Sequence, residues 1–400
     1  MTSRTTDAVI AGGGIVGKAL ALALAQGGAQ VLLCGARPAA PTPAAGYGQR
    51  VYALNAASRR FLNALRVWGQ IPAERVQGVE RMRIAADGAT LVFTAYAQGV
   101  EALAWIAESD AIERALDLAL QFERGVRSTP ASLDHATREG SLWTLQLTDG
   151  QQACTELLLG ADGRASRVRD WAGIGLRSKA YGQTGLVCNL RCAAKHGATA
   201  FQAFTPDGVI ALLPLAAQGA ESQVSLVWSA PEALAAQLQA DGAPALAARV
   251  QEKLAVLGAA HLGSLQAAGE IGAWPLVLQR AHRLAGEGVA LLGDAAHVVH
   301  PLAGHGLNLG LQDAQALAAV VSARAPSEGI SDARVLRRYA RARAEQVLAL
   351  ELATDGLQRL YAPGMQWLAP LRALGLAGTN HLTPVKRWLA GYASGLAVLG

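Results

Sequence analysis

The chain has 400 residues, of which 52% are apolar and only 16% charged, with a net charge of +5. That length supports a large core and one to three domains. The modest charge argues against nucleic acid while leaving room for an anionic cofactor or surface. No run of about 18 uncharged apolar residues marks a spanning helix, and the four cysteines form no CxxC pair, so reduced structural thiols are expected.

In chain order, Val9–Ala11 is a short apolar run suited to a buried parallel strand. Gly12-x-Gly14-x-x-Gly17 follows at once. The motif starts so early that no signal peptide fits ahead of the strand, and a cytoplasmic residence is expected. Ile15 to Gln26 reads as a helix stopped by Gly27-Gly28, and Val31–Cys34 closes a βαβ unit. In that setting the glycines predict a tight turn that lets backbone approach a pyrophosphate. The helix N-terminus adds free N–H groups and a positive dipole end. A glycine loop between packed elements is the plain alternative. The acidic residue that usually binds ribose hydroxyls after the second strand is missing; Gly35 stands there, followed by Arg37.

Pro38 to Gly48 reads as a loop, and Asn55 to Trp68 has helical spacing at Phe61, Leu62 and Leu65. Met82–Ile84 and Thr90–Phe93 flank Asp87-Gly88, a hairpin signal. Ser109 is expected to cap a helix running to Gln121, with Glu113 one residue late for a capping box. Trp143–Leu147 alternates, and Leu157–Leu159 is a buried strand entering Gly160-Ala161-Asp162-Gly163. Tyr181 to Trp228 is strand-like, Pro231 to Leu257 helical, and Trp274–Leu276 is expected to return the chain to its first domain. Val289–Leu292 is another buried strand. It leads through Gly293-Asp294-Ala295-Ala296-His297 to Pro301 and Gly304-His305-Gly306-Leu307-Asn308, after which the chain is largely helical.

Three strand-to-glycine junctions thus recur, at Gly12, Gly160 and Gly293. In an open parallel sheet they could converge on one extended dinucleotide. Asp162 and Asp294 each follow a buried strand, and capping of the next helix is the competing reading. The helix opening near Gly306 would stabilise negative charge on a flat ring.

With these motifs in place, the chain resembles the class A FAD-dependent aromatic hydroxylases of para-hydroxybenzoate-hydroxylase-like fold, specifically the ubiquinone-biosynthesis hydroxylase family. The resemblance rests on Gly12-x-Gly14-x-x-Gly17, on Gly160-Ala161-Asp162-Gly163 with Val168-Arg169, and on Gly293-Asp294 with Pro301. It continues through Arg50-Val51-Tyr52-Ala53-Leu54, Tyr181-x-Gln183 and Gly306-Leu307-Asn308. It implies an α/β fold: a Rossmann-like FAD-binding domain over residues 1–75, 101–180 and 276–330, an inserted β-rich substrate domain over 76–100 and 181–275, and a helical C-terminal region over 331–400. It further implies FAD as cofactor, with NADPH or NADH as reductant. Oxygen would form a C4a-hydroperoxide that hydroxylates a polyprenylated phenol or benzoquinone precursor. The residues that would hold the cofactor are Gly12, Gly14, Ile15, Val16, Gly17, Arg50, Leu133, Asp162, Gly163, Arg169, Asp294, Pro301, Gly304, Gly306, Leu307 and Asn308. No metal is implied. His305 replaces the family's usual glutamine and is the candidate catalytic residue, either titrating near the flavin or substituting for the amide.

Arg334, Arg337, Arg338 and Arg341 share one helical face, and Val385, Trp388, Leu389, Tyr392, Leu396 and Leu399 share a stripe of a final helix. These read either as a solvated face and a docking helix, or as a peripheral membrane contact or a contact within a biosynthetic complex. A homodimer stays open. The rival functions are a hydroxylase of a small soluble aromatic and a non-catalytic accessory flavoprotein.

Overall fold

The computed structural model describes residues 4–38, 47–217, 222–300 and 305–361. Its first sheet is built on parallel strands in the order Val289–Leu291, Gln152–Gly160, Arg4–Ala11, Val31–Cys34 and Val126–Thr129. Successive residues of a strand point to opposite faces. Ala8, Ile10, Leu33 and Leu159 accordingly enter one core with the helices Ile15–Gln26, Ser109–Gln121 and His305–Ser322. Val9, Ala11, Leu32 and Leu158 enter another with the hairpin strand Leu142–Leu147. Burial on both faces is why these strands read as unbroken apolar runs.

Among the described residues the second sheet has nine strands, antiparallel except where Thr199–Thr205 pairs with Arg81–Ala86. The helix Glu232–Leu257, kinked where Gly242 takes φ +84° ahead of Pro244, covers one of its faces around the buried Trp228. The Asp87-Gly88 hairpin is present as expected, with both residues at positive φ. The strand Leu176–Cys192 is longer than its apolar pattern suggested, because its first half is polar and largely exposed. It carries the partner strand Gly272–Ala281 with it, pairing Leu176 with Ala281. Trp274–Leu276 therefore still lies in the second sheet, and the chain rejoins the first sheet only at Ala285–Gly286. Ser109 is not a cap either. It is already helical, Glu108 is the N-cap, and the Ser109 hydroxyl donates to Glu113 at 3.1 Å.

Burial pushes the Cys34 thiol up to about 12, and those of Cys188 and Cys192 up to about 11, so none offers a thiolate at neutral pH. The helix Ala333–Leu360 closes the described chain against His305–Ser322. On it Arg334 pairs with Asp332 at 3.2 Å and Arg338 with Glu328 at 2.7 Å, which neutralises half of the expected basic face. The stripe from Val385 to Leu399 lies outside the described residues. No helix among those described is long and apolar enough to cross a membrane.

Candidate cofactor site

Register sets the site. Ala11 is level with Gly160 on one side and Cys34 on the other, and Gly160 is level with Leu291. The three glycine junctions therefore emerge side by side at the carboxyl edge of the sheet, where such folds bind ligands.

The glycines of the first turn have different duties. Gly12 takes φ +112°, and a Cβ there would stand 2.1 Å from the Ala161 carbonyl oxygen. A Cβ at Gly17 would stand 1.9 Å from the Gly12 oxygen, so the helix meets the turn this closely only because residue 17 is glycine. Gly14 is different: nothing lies within 4 Å of its would-be Cβ. It is also the N-cap of Ile15–Gln26, with no side-chain capping bond. The N–H groups of Ile15, Val16 and Gly17 are thus left available to an anion. The Ile15 side chain enters the core, and Val16 packs beside Gly293 and Gly310, where a Cβ on Gly310 would come within 2.7 Å of it.

Asp162 caps a helix with one carboxylate oxygen and leaves the other unused. Oδ2 accepts from Val168 N–H at 3.1 Å, a cap on the short helix Arg167–Trp171, while Oδ1 is buried without a hydrogen-bond partner. Gly163 beside it, at φ +82°, again has open space on its outer side, as does Gly306. Asp294 follows the third strand. It keeps exposed surface, but its carboxyl is surrounded: desolvation pushes its pKa up, and His297, Arg50 and Arg164 reverse only part of this. Arg50 also lies against Tyr52 and under the Trp274 ring, 5.1 Å from its centroid.

Three expected residues are held differently. Arg169 is buried, with Nη1 donating to the Arg164 and Ala295 carbonyls at 3.2 Å, so it ties the second junction to the third. Asn308 accepts from Asn55 N–H at 2.9 Å and donates to the Ala53 carbonyl at 2.7 Å, anchoring its helix to the segment after Arg50. Leu133 is buried, and its carbonyl accepts from Arg167 at 3.3 Å. Pro301 and Gly304 lie outside the described residues. His305 opens the helix His305–Ser322, but its side chain lies outside them too.

Gly35 has a backbone reason for its identity. It takes φ +76°, in the left-handed region. Gly35→Glu, which would restore the usual ribose-binding residue, is expected to cost about 1–2 kcal/mol from this conformation alone. Thermal unfolding of the apoprotein checks it, and an unchanged midpoint would refute the strain.

Two polar groups escaped the sequence reading. Lys18, fully buried in the glycine-motif helix, pairs with Asp117 at 2.6 Å and donates to the Arg37 carbonyl at 3.3 Å. Asp313, also fully buried, joins three elements. It accepts from Gly293 N–H at 2.9 Å, from Arg343 Nε at 2.6 Å and faces His297 Nε2 at 2.7 Å. The carboxylate facing His297 is thus supplied from a distant turn of the next helix. A lone lysine or aspartate inside an otherwise apolar helix was the available signal, since such groups are rarely fully buried unless paired.

These features fit a flavin dinucleotide. An uncapped helix N-terminus suits a pyrophosphate, glycines at 14, 163 and 306 present open faces, and the free Asp162 Oδ1 suits a hydroxyl donor. Known proteins agree with that chemistry. A family profile described as "FAD binding domain" matches residues 5–353. The chain is 35% identical to the 3-demethoxyubiquinol 3-hydroxylase of Escherichia coli strain K12 over 99% of its own length and 100% of that protein's. It is 32% identical to the ubiquinone hydroxylase UbiL of Rhodospirillum rubrum over 99% of its length and 91% of that protein's. Among solved structures, Klebsiella pneumoniae HpxO complexed with FAD and uric acid shares the fold, with a TM-score of 0.71 at 20% identity, covering 98% of this chain and 97% of that one.

Proposed function

The chain belongs to the FAD-binding-domain family and is an FAD-dependent aromatic-ring monooxygenase; from that premise we propose that it hydroxylates a polyprenylated phenol or benzoquinol in ubiquinone biosynthesis, with NADPH or NADH as reductant. The observation that carries the reading is the end-to-end likeness to ubiquinone-pathway hydroxylases. The level register of the three glycine junctions supports the cofactor half of it. Bound FAD supplies electron transfer and oxygen activation, which no side chain of this protein offers.

The protein's own work is to bind and orient. The helix N-terminus after Gly14 would take the pyrophosphate, and Asp162 Oδ1 would accept from a cofactor hydroxyl. Arg50, held between Trp274, Tyr52 and Asp294, would offer a positive charge to the bound cofactor. Arg169 and Asn308 keep these junctions in register from behind. The second sheet covers the reacting ring and excludes water.

The test is the visible spectrum of the purified protein, then anaerobic NADPH or NADH, then oxygen with a short-tailed demethoxyubiquinol. Flavin bands that bleach and return, with one oxygen atom added to the quinol by mass spectrometry, are expected. Protein that stays colourless after FAD addition would overturn the reading. Turnover confined to small soluble phenols would replace its substrate half.

A further inference from the structure

His300 stands on the seam between the two sheets. Just before it, His297–Val298 pairs with Gln279 and Arg280 of the second sheet. Shortly after it, His305 opens the helix packed on the first sheet. Opposite, the strand Leu176–Cys192 slips register against Gly272–Ala281 between Ala180 and Thr184, so Tyr181, Gly182 and Gln183 have no partner on that side, while Gln183 still pairs with Pro231 on the other. Gly182 makes that bulge with φ +66°. A bulge of this kind re-aims side chains and is a common device beside active sites.

His300 fills the bulge. Its Nε2 lies 3.0 Å from Gln183 Oε1, and its ring meets Tyr181 edge-on, with centroids 4.9 Å apart at 80°. An amide oxygen only accepts, so Nε2 carries the proton. His300 is 1% exposed, and burial pushes its pKa down to about 4. At neutral pH the ring is therefore uncharged and held in one tautomer. Lys179, 5.3 Å from the Tyr181 ring, pairs with Asp355 at 2.9 Å and fastens the same bulge to the helix Ala333–Leu360.

We propose that His300 is a positioning residue for ring hydroxylation: through Gln183 and Tyr181 it fixes the substrate sheet against the segment that leads to the cofactor helix. The inference rests on the hydroxylase reading above. Its consequence is specific. Loss of the His300–Gln183 bond leaves flavin binding and reduction intact but lets the ring drift from the reactive cofactor edge. A misplacement of about 1 Å can cost on the order of 100-fold. Electrons from the nicotinamide then reduce oxygen to hydrogen peroxide, which is released, in place of splitting it between the ring hydroxyl and water.

The experiment measures hydroxylated quinol and hydrogen peroxide per NADPH oxidised, using short-tailed demethoxyubiquinol and FAD-loaded protein. His300→Ala and Gln183→Leu should each keep flavin content near the parent value while product per NADPH falls about tenfold; the cavity left by His300→Ala lowers its unfolding temperature, so coupling is read well below that transition. His300→Gln, whose amide can reach Gln183 from the Nε2 position, should recover most of it. The double variant His300→Ala/Gln183→Leu should lose no more than either single one. Independently of activity, 15N spectra of histidine-labelled protein should show His300 as the neutral Nε2–H tautomer at pH 7. Unchanged coupling in both single variants overturns the inference, as does an imidazolium at pH 7. Loss of flavin from both single variants also overturns it, since the role would then be in the cofactor site. A parent protein that makes no hydroxylated quinol defeats the functional reading first; a parent that does, with variants as well coupled, defeats this inference alone.

Discussion

Gly12→Ala unfolds the apoprotein far below the parent temperature and yields no yellow protein, while Gly14→Ala folds normally and loses only cofactor affinity. The two glycines stand two residues apart in one motif, so the contrast comes from their surroundings. At Gly12 the added methyl would sit 2.1 Å from the Ala161 carbonyl oxygen and 2.8 Å from the Asp162 nitrogen, in a backbone of φ +112°. Neither neighbour can yield, because Ala161 N–H is itself bonded to the Ala11 carbonyl at 2.8 Å. Overpacking and forbidden backbone act together, and the loss should be at least about 3 kcal/mol. At Gly14 the methyl meets nothing of the protein within 4 Å and faces the anion side of the uncapped helix start. Its cost falls on the ligand, as a rise in the FAD dissociation constant of about tenfold or more, equivalent to about 1.4 kcal/mol. Apoprotein calorimetry and FAD titration of both variants measure this. Equal unfolding temperatures for the two would refute the account of Gly12, and undiminished FAD affinity in Gly14→Ala would remove the pyrophosphate from this turn.

Asp313→Ala should destabilise the folded protein by about 3–5 kcal/mol, the range for removing one partner of a buried charge cluster. The substitution leaves Arg343 and His297 buried without their shared carboxylate and releases Gly293 N–H. Gly293 begins the turn that presents Asp294, so flavin content should fall as well. The pH dependence has a defined sign. Burial pushes the Asp313 carboxyl up, but His297 and Arg343 more than reverse this and hold it below the usual carboxylate range. A group whose pKa is lower folded than unfolded contributes above its unfolded value, about 3.9, and that contribution is lost as pH falls through the folded value. Urea unfolding of the parent should therefore weaken below about pH 4 more steeply than that of Asp313→Ala. Parallel acid limbs for the two proteins would show that Asp313 is not the group responsible.

How far the sequence reached is visible in particular residues. The glycine turns, the apolar strands before them and the long Ala/Leu helices follow from local rules. A residue's own φ, its period along a strand and its place at a helix start are properties of a few neighbours. That was enough to order Gly12, Gly160 and Gly293 at the ends of parallel strands, and with the family resemblance to name the fold, the cofactor and the class of reaction. The sequence did not reveal the Leu176 start of the long strand, because its exposed polar half carries no alternation. It also could not assign duties to polar side chains. The side chains of Arg169 and Asn308 hold backbone carbonyls and amides of distant segments, which no local pattern announces. Lys18, Asp313 and His300 acquire meaning only from partners far away in the chain, namely Asp117, Arg343 and Gln183. Local chemistry fixed the elements and the kind of ligand. Which polar group meets which was decided by the tertiary structure, because a buried charge or amide is settled by whatever partner the fold brings within about 3 Å of it.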